Sequence, residues 1–205
     1  MVYLLAAAAT FILTIILTLT VKRMALKFNI VDEPDEQRKI HKINTPLLGG
    51  VAIFVAYFLV LFLVRDHLLI GNLTYKPWLG FFVGALILVI GGAMDDKYNL
   101  KPQQQIIFPI LAIAALIIGG VSIGKITNPL GGYLVLSNWK IISPLLISLW
   151  LLGMMYTTKL LDGVYGLVSG ITAIGGLVIF LFTLTTRYYQ PDIALASIIL
   201  VAACL

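Results

Sequence analysis

The feature that most limits what this chain can become is a succession of apolar runs, separated by short charged clusters and nearly all long enough to cross a bilayer. Crossing the hydrocarbon core as a helix takes about 20 residues. Runs of that order cover Val2–Val21, Leu47–Val64, Pro77–Met94, Ile106–Ile123, Ile141–Thr157 and Gly166–Thr186. A seventh begins near Ile193 and holds 13 residues before Leu205. Lipid offers the backbone no hydrogen bonds, so a segment in it must satisfy its own N–H and C=O groups, which favours helix. The expected fold is therefore all-α: a polytopic transmembrane helix bundle with six complete spans plus the start of a seventh. With 60% of the 205 residues hydrophobic and 11% charged, a water-soluble core is excluded. With no repeat or linker, residues 1–205 are expected to form a single membrane domain, the front part of a longer protein.

The first basic residues, Lys22 and Arg23, follow the first apolar run instead of preceding it, so that run reads as a retained helix and not a signal peptide. Cys204 is the only cysteine, which rules out an intramolecular disulfide and reads as a small apolar helix residue. Loops after the first, third and fifth spans carry nine basic residues: Lys22, Arg23, Lys27, Arg38, Lys39, Lys42, Lys97, Lys101 and Lys159. The alternate loops carry five, namely Arg65, Lys76, Lys125, Lys140 and Arg187. This asymmetry predicts an external N-terminus and a cytoplasmic face built from the first set. Seven of the nine acidic residues fall on that same face, although the orientation rule makes no such demand of acids. A site for a metal and an anionic substrate needs that mixture of charge, and a solvated face shows it too. On the opposite side, Asn128-Pro129 and Gly131-Gly132 predict a turn and a short hairpin within Lys125–Lys140.

Three places carry candidate chemistry. In GGAMDDKYNLKP, Asp95 and Asp96 stand at the C-terminal end of the third span. Negative charge there opposes the helix dipole at a cost of roughly 0.3–1 kcal/mol per exposed carboxylate. A cation would relieve both that cost and the repulsion between neighbours. Mg²⁺ suits the place, because it takes one or two carboxylates and completes its shell with water and phosphate oxygens; the plainer alternative is a solvated pair with Lys97 as counterion. In DEPDEQRKIHKINTPLLGG, the group Arg38, Lys39, His41 and Lys42 is suited to hold phosphate or pyrophosphate, with Arg38 supplying a bidentate fork. Orientation and attraction of anionic lipid explain such a group equally well. In YTTKLLDGVYGLVSG, Asp162-Gly163 reads as a loop whose carboxylate either caps or serves a site beside Asp95 and Asp96. The pairs Gly49-Gly50, Gly91-Gly92 and Gly175-Gly176 are expected at close helix contacts, and Pro109 is expected to kink the fourth span.

Taken in order, D-x-P-x-x-x-R-K-x-H with T-P-L-L-G-G (Asp32 to Gly50), Asp95-Asp96 with Asn99, Leu100 and Pro102, and L-L-D-G-V-Y-G-L (Leu160 to Leu167) resemble the polyprenyl-phosphate N-acetylhexosamine-1-phosphate transferase superfamily. The resemblance runs across essentially the whole chain. It implies Mg²⁺-dependent transfer (Mn²⁺ being an alternative) of a sugar 1-phosphate from a UDP-sugar to undecaprenyl or another polyprenyl phosphate, with release of UMP. Such a step serves cell-wall or surface polysaccharide synthesis. By this resemblance Asp95 and Asp96 are catalytic and metal-binding, and Arg38, Lys39 and His41 contact lipid phosphate or pyrophosphate. Asp162 then belongs to the active-site loop near the nucleotide or its diphosphate.

The implied partners are the lipid phosphate, the UDP-sugar and the plasma membrane, with the active face cytoplasmic. A homodimer is compatible with this, and no nucleic-acid partner is expected. The sequence departs from the family where Tyr156 and Lys159 replace Asn, where Tyr165 replaces a second Asp, and where Gln103–Gln105 stand in place of lysines. A further metal-binding Asp and a His-rich loop of the family lie beyond the last residue given. An inactive or truncated relative, or an ion-coupled transporter with carboxylates along its path, are the alternatives.

Overall fold

The computed structural model describes residues 1–28, 30–32, 45–46, 48–68, 74–129, 131–136, 141–163, 166–185 and 189–205. Helices dominate them: α1 (Val2–Lys27), α2 (Gly49–Leu63), α3 (Arg65–Leu68), α4 (Tyr75–Tyr98), α5 (Pro102–Gln105), α6 (Ile107–Ile118), α7 (Ile142–Leu161), α8 (Leu167–Thr183) and α9 (Pro191–Cys204). Two short antiparallel ladders join them, β1 (Val31–Asp32) with β2 (Thr45–Pro46) and β3 (Lys125–Thr127) with β4 (Tyr133–Val135). Among the described residues, three helices are long and apolar enough to cross a membrane: α1, α4 and α7. At 1.5 Å per residue the 26 residues of α1 reach about 39 Å, whereas the 15 of α2 reach about 22 Å, short of a hydrocarbon core of about 30 Å. The helical class is as expected; three expected spans correspond to shorter elements.

Two of the differences have a local setting. Leu48 precedes α2 with φ 72°, a left-handed conformation that ends any helical continuation upstream. The fourth expected span, Ile106–Ile123, holds α6 from Ile107 to Ile118, with α5 ending just before it, and α6 begins beside Pro109 instead of kinking at it. Pro109 thereby falls in the first turn of α6, where its missing N–H would have had no intrahelical partner. The expected hairpin is present as β3 and β4, turned through Gly131 and Gly132 at φ 108° and 77°, values that glycine adopts without strain.

The contacts gather the chain into two compact units. The first comprises Met1–Leu73, Val89–Lys101 and Ser169–Leu205, where α1, α2 and α9 pack together. Its helices turn small residues inward. Ala6, Thr10 and Thr14 are buried one turn apart on α1, and the Thr10 and Thr14 hydroxyls donate to the Ala6 and Thr10 carbonyls at 2.7 and 2.9 Å. Meanwhile Leu4, Ile12 and Ile16 face outward at 78%, 58% and 54% exposure. Small residues inside and large aliphatics outside is the pattern of a helix solvated by lipid, where close backbone approach replaces a hydrophobic drive. The chain is a helical membrane protein. On α8, Gly176 lies against Val201 and the Ser197 carbonyl of α9.

The second unit comprises Thr74–Leu88 and Pro102–Val168. Here α4 meets α6 through glycine: a Cβ at Gly80 would lie 2.8 Å from Gly119 Cα, and one at Gly84 would lie 3.0 Å from the Ala112 carbonyl oxygen. By contrast, Gly49, Gly50, Gly92 and Gly175 have nothing within 4 Å of a built Cβ, so close packing is carried by other glycines than most of those expected. The Ile123 N–H donates to Ser143 Oγ at 2.9 Å, tying the segment after α6 to the start of α7.

Candidate active site at the end of α4

Asp95 and Asp96 occupy the last turn of α4, both partly buried. Two hydrogen bonds give the carboxylates different surroundings. Asn99, at φ 48°, stops the helix in the left-handed conformation that Asn tolerates best after Gly, and its N–H donates to the Asp95 carbonyl at 2.9 Å. The next amide, Leu100 N–H, donates to Asp95 Oδ1 at 3.1 Å. Asp95 thus seals its own helix end with its side chain.

Asp96 reaches across the unit. Its Oδ2 accepts the Leu48 N–H at 3.3 Å, linking residues 48 positions apart and placing the end of α4 at the start of α2. Leu48 supplies α2 with no side-chain cap, and the Asp96 carboxylate instead accepts the N-cap amide, the donor that a capping-box Glu at N3 ordinarily satisfies. The positive end of the α2 dipole favours negative charge there, whereas the α4 C-terminus disfavours it. Two residues before Leu48, β2 pairs with β1 in the register Val31 to Pro46 and Asp32 to Thr45. The sequence between the strands carries Arg38, Lys39 and His41. These three lie outside the described residues, as does Tyr165. Lys97, the adjacent cation, holds its Nζ 5.1 Å from the centre of the Tyr98 ring, a cation–π contact.

Asp162 lies in the second unit as the exposed C-cap residue of α7, at φ −71° and ψ 0°. It therefore ends α7, and the first turn of α8 holds no acid. Like the α4 pair, it puts negative charge at the wrong end of a helix dipole. Nearby in that unit, Lys159 Nζ donates to Gln105 Oε1 at 2.6 Å.

As a metal site, Asp95 and Asp96 offer only hard carboxylate oxygens, which fit Mg²⁺ or Mn²⁺ better than a soft metal. Among the described residues, no group of three His, Cys, Asp or Glu gathers to form a fuller cage. One or two carboxylates, with water and substrate phosphate completing the shell, is the arrangement Mg²⁺ takes readily. Sequence reasoning missed the Asp96 to Leu48 contact, the β1–β2 ladder and the burial of Asp192, 1% exposed in the first turn of α9. Only the last had a signal: Pro191-Asp192 is a helix-start dipeptide.

A sequence model of the family described as Glycosyl transferase family 4 matches residues 78–205, more than half of the chain. This chain belongs to glycosyl transferase family 4. Among curated relatives, it is 30% identical over 161 residues to the "Probable undecaprenyl-phosphate N-acetylglucosaminyl 1-phosphate transferase" of Bacillus subtilis, covering 78% of this chain and 42% of that one. It is 27% identical over 205 residues to the decaprenyl-phosphate N-acetylglucosaminephosphotransferase of Mycolicibacterium smegmatis, covering 95% and 50%. To the undecaprenyl-phosphate alpha-N-acetylglucosaminyl 1-phosphate transferase of Salmonella typhi it is 25% identical over 172 residues, covering 80% and 42%. The chain spans about half the length of the curated relatives it matches. No solved structure matches it.

As a glycosyl transferase family 4 chain, it shows its departures in a new light, because two of them touch. Lys159 of α7 and Gln105 of α5, each read from the sequence as part of a departure from the family pattern, are hydrogen-bonded.

Proposed function

We propose that the full protein transfers a sugar 1-phosphate from a UDP-N-acetylhexosamine to a polyprenyl phosphate, releasing UMP, at the cytoplasmic face of the plasma membrane. The observation that carries this reading is the carboxylate pair held, against the α4 dipole, beside the start of α2 in a chain of this family. An oxygen of the lipid phosphate attacks the sugar-linked phosphorus of the UDP-sugar. A new P–O bond forms, the bond from that phosphorus to the bridging oxygen breaks, and UMP leaves with that oxygen and its electron pair. The product is a lipid pyrophosphoryl sugar.

Mg²⁺, recruited to the Asp95–Asp96 end of α4, would neutralise charge on the transferring pyrophosphate. Arg38, Lys39 and His41 hold the lipid phosphate or pyrophosphate, since a guanidinium fork matches phosphate geometry. Asp162 belongs near the nucleotide. In this reading α1, α2, α4, α5–α6, α7 and α8 correspond to six spans with α9 beginning a seventh, the shorter ones completed by residues at their ends.

An ion-coupled carrier would favour acids near the middle of spans. Among the described residues the acids stand at helix or strand ends or in the short α3. The test is UMP release by the full gene product with UDP-N-acetylglucosamine, polyprenyl phosphate and Mg²⁺. Asp95→Asn should reduce it by about a thousandfold or more, the scale expected when a group acting only in the transition state is lost. Unimpaired turnover in Asp95→Asn would sink the assignment, and a silent wild type would favour the inactive relative.

A further inference from the structure

We infer that the two adjacent carboxylates divide their labour: Asp96 is a positioning residue that fixes the start of α2 against the end of α4, and Asp95 is the carboxylate that meets metal and phosphate. The inference rests on the proposed transfer for what is positioned, but not for the tether itself. Successive residues of a helix point about 100° apart, so adjacent carboxylates cannot both face one ligand in the same way. Asp95 bonds locally, to an amide five residues on in its own turn. Asp96 bonds to a backbone amide 48 residues away.

That amide belongs to a strained residue. Leu48 holds φ 72° without glycine's freedom, and an L-residue pays for this conformation and keeps it only where its surroundings impose it. The Asp96 acceptor is such an imposition. Its grip extends to the ladder, because Pro46 of β2, two residues before Leu48, is paired with Val31. Asp96 thereby fixes, relative to Asp95, the place from which the stretch bearing the basic residues departs. Removing the acceptor would release the start of α2 and the ladder while leaving Asp95 in its own sealed turn.

Three variants of the full gene product in detergent or native membranes test this. Asp96→Asn keeps an amide oxygen to accept the Leu48 N–H, Asp96→Ala removes the acceptor, and Asp95→Asn leaves the tether alone. Hydrogen exchange of peptides covering residues 45–52 should rise about tenfold or more in Asp96→Ala and stay near wild type in the other two. In the transfer assay, Asp96→Ala should raise KM for polyprenyl phosphate about tenfold or more. Asp96→Asn should keep about a tenth or more of kcat, and Asp95→Asn should lose about a thousandfold with KM little changed.

Unchanged exchange in Asp96→Ala overturns the tether, whatever the activity. Equal collapse of kcat in both Asn variants overturns the division of labour. If the wild type transfers nothing, the proposed function fails on its own account, and the exchange measurement still decides whether Asp96 holds α2.

Discussion

The seating of α4, the helix that ends in the candidate site, should depend on the absence of a side chain at Gly80. A Cβ there would lie 2.8 Å from Gly119 Cα and 2.9 Å from the Ala115 carbonyl oxygen. Carbon atoms pack at about 3.5–4.0 Å, so α4 and α6 would have to part by roughly 0.7–1.2 Å. Both obstacles are backbone, and no rotamer change can relieve them. Overpacking of this kind costs about 1–3 kcal/mol. Gly92 is the matched control on the same helix, since a Cβ there meets nothing within 4 Å. Both substitutions to Ala gain the same helix propensity, about 0.8–1.0 kcal/mol, so their difference isolates the clash.

Gly80→Ala should therefore be less stable than Gly92→Ala by about 1–3 kcal/mol. At about 2–4 °C per kcal/mol for a protein of this size, the gap in Tm is about 2–12 °C. Thermal unfolding of the purified protein in detergent, followed by a thiol- or tryptophan-based probe, measures it. A Gly80→Ala protein as stable as Gly92→Ala would refute the close approach of α4 and α6.

Two further predictions concern local structure. Leu48→Gly relieves a left-handed conformation costing about 1–2 kcal/mol, offset by about 0.5–1 kcal/mol of extra unfolded-chain entropy, so the variant should be neutral to about 1.5 kcal/mol more stable. Leu48→Val should be destabilised in the same assay, because a β-branched residue fits that conformation worse. The Lys159–Gln105 contact is exposed, so a double-mutant cycle to Ala at both positions should give a coupling below about 1 kcal/mol. A larger coupling would make the pair structural.

The sequence made the long helices legible because a sustained apolar run has few other solutions in lipid: α1, α4 and α7 extend past the expected ends but not off them. The β3–β4 hairpin was legible from Asn128-Pro129 and Gly131-Gly132, whose backbone preferences act locally. The start of α2 was not. Leucine carries no signal for φ 72°, and the acceptor that supports it comes from a helix 48 residues away. The two-residue ladder of β1 and β2 is too short for any periodicity to announce. At the site, Asp95 and Asp96 were conspicuous as acids at a helix C-terminus, where ordinary stability argues against them, whereas Asp162 read as a loop residue before the next helix and proved to end α7. Which carboxylate faces what depended on tertiary contacts. The contact between Lys159 and Gln105 showed in sequence only as two unrelated departures.

In the proposed reaction a phosphorylated sugar, and not a bare sugar, moves to the lipid. UDP-N-acetylglucosamine labelled with ³²P at the sugar-linked phosphate separates the two outcomes when supplied with polyprenyl phosphate, Mg²⁺ and membranes containing the full gene product. Sugar 1-phosphate transfer puts label in the organic-extractable lipid and unlabelled UMP in the aqueous phase, and both are lost in Asp95→Asn. Label recovered as UDP, or label in lipid that persists in Asp95→Asn, would contradict it.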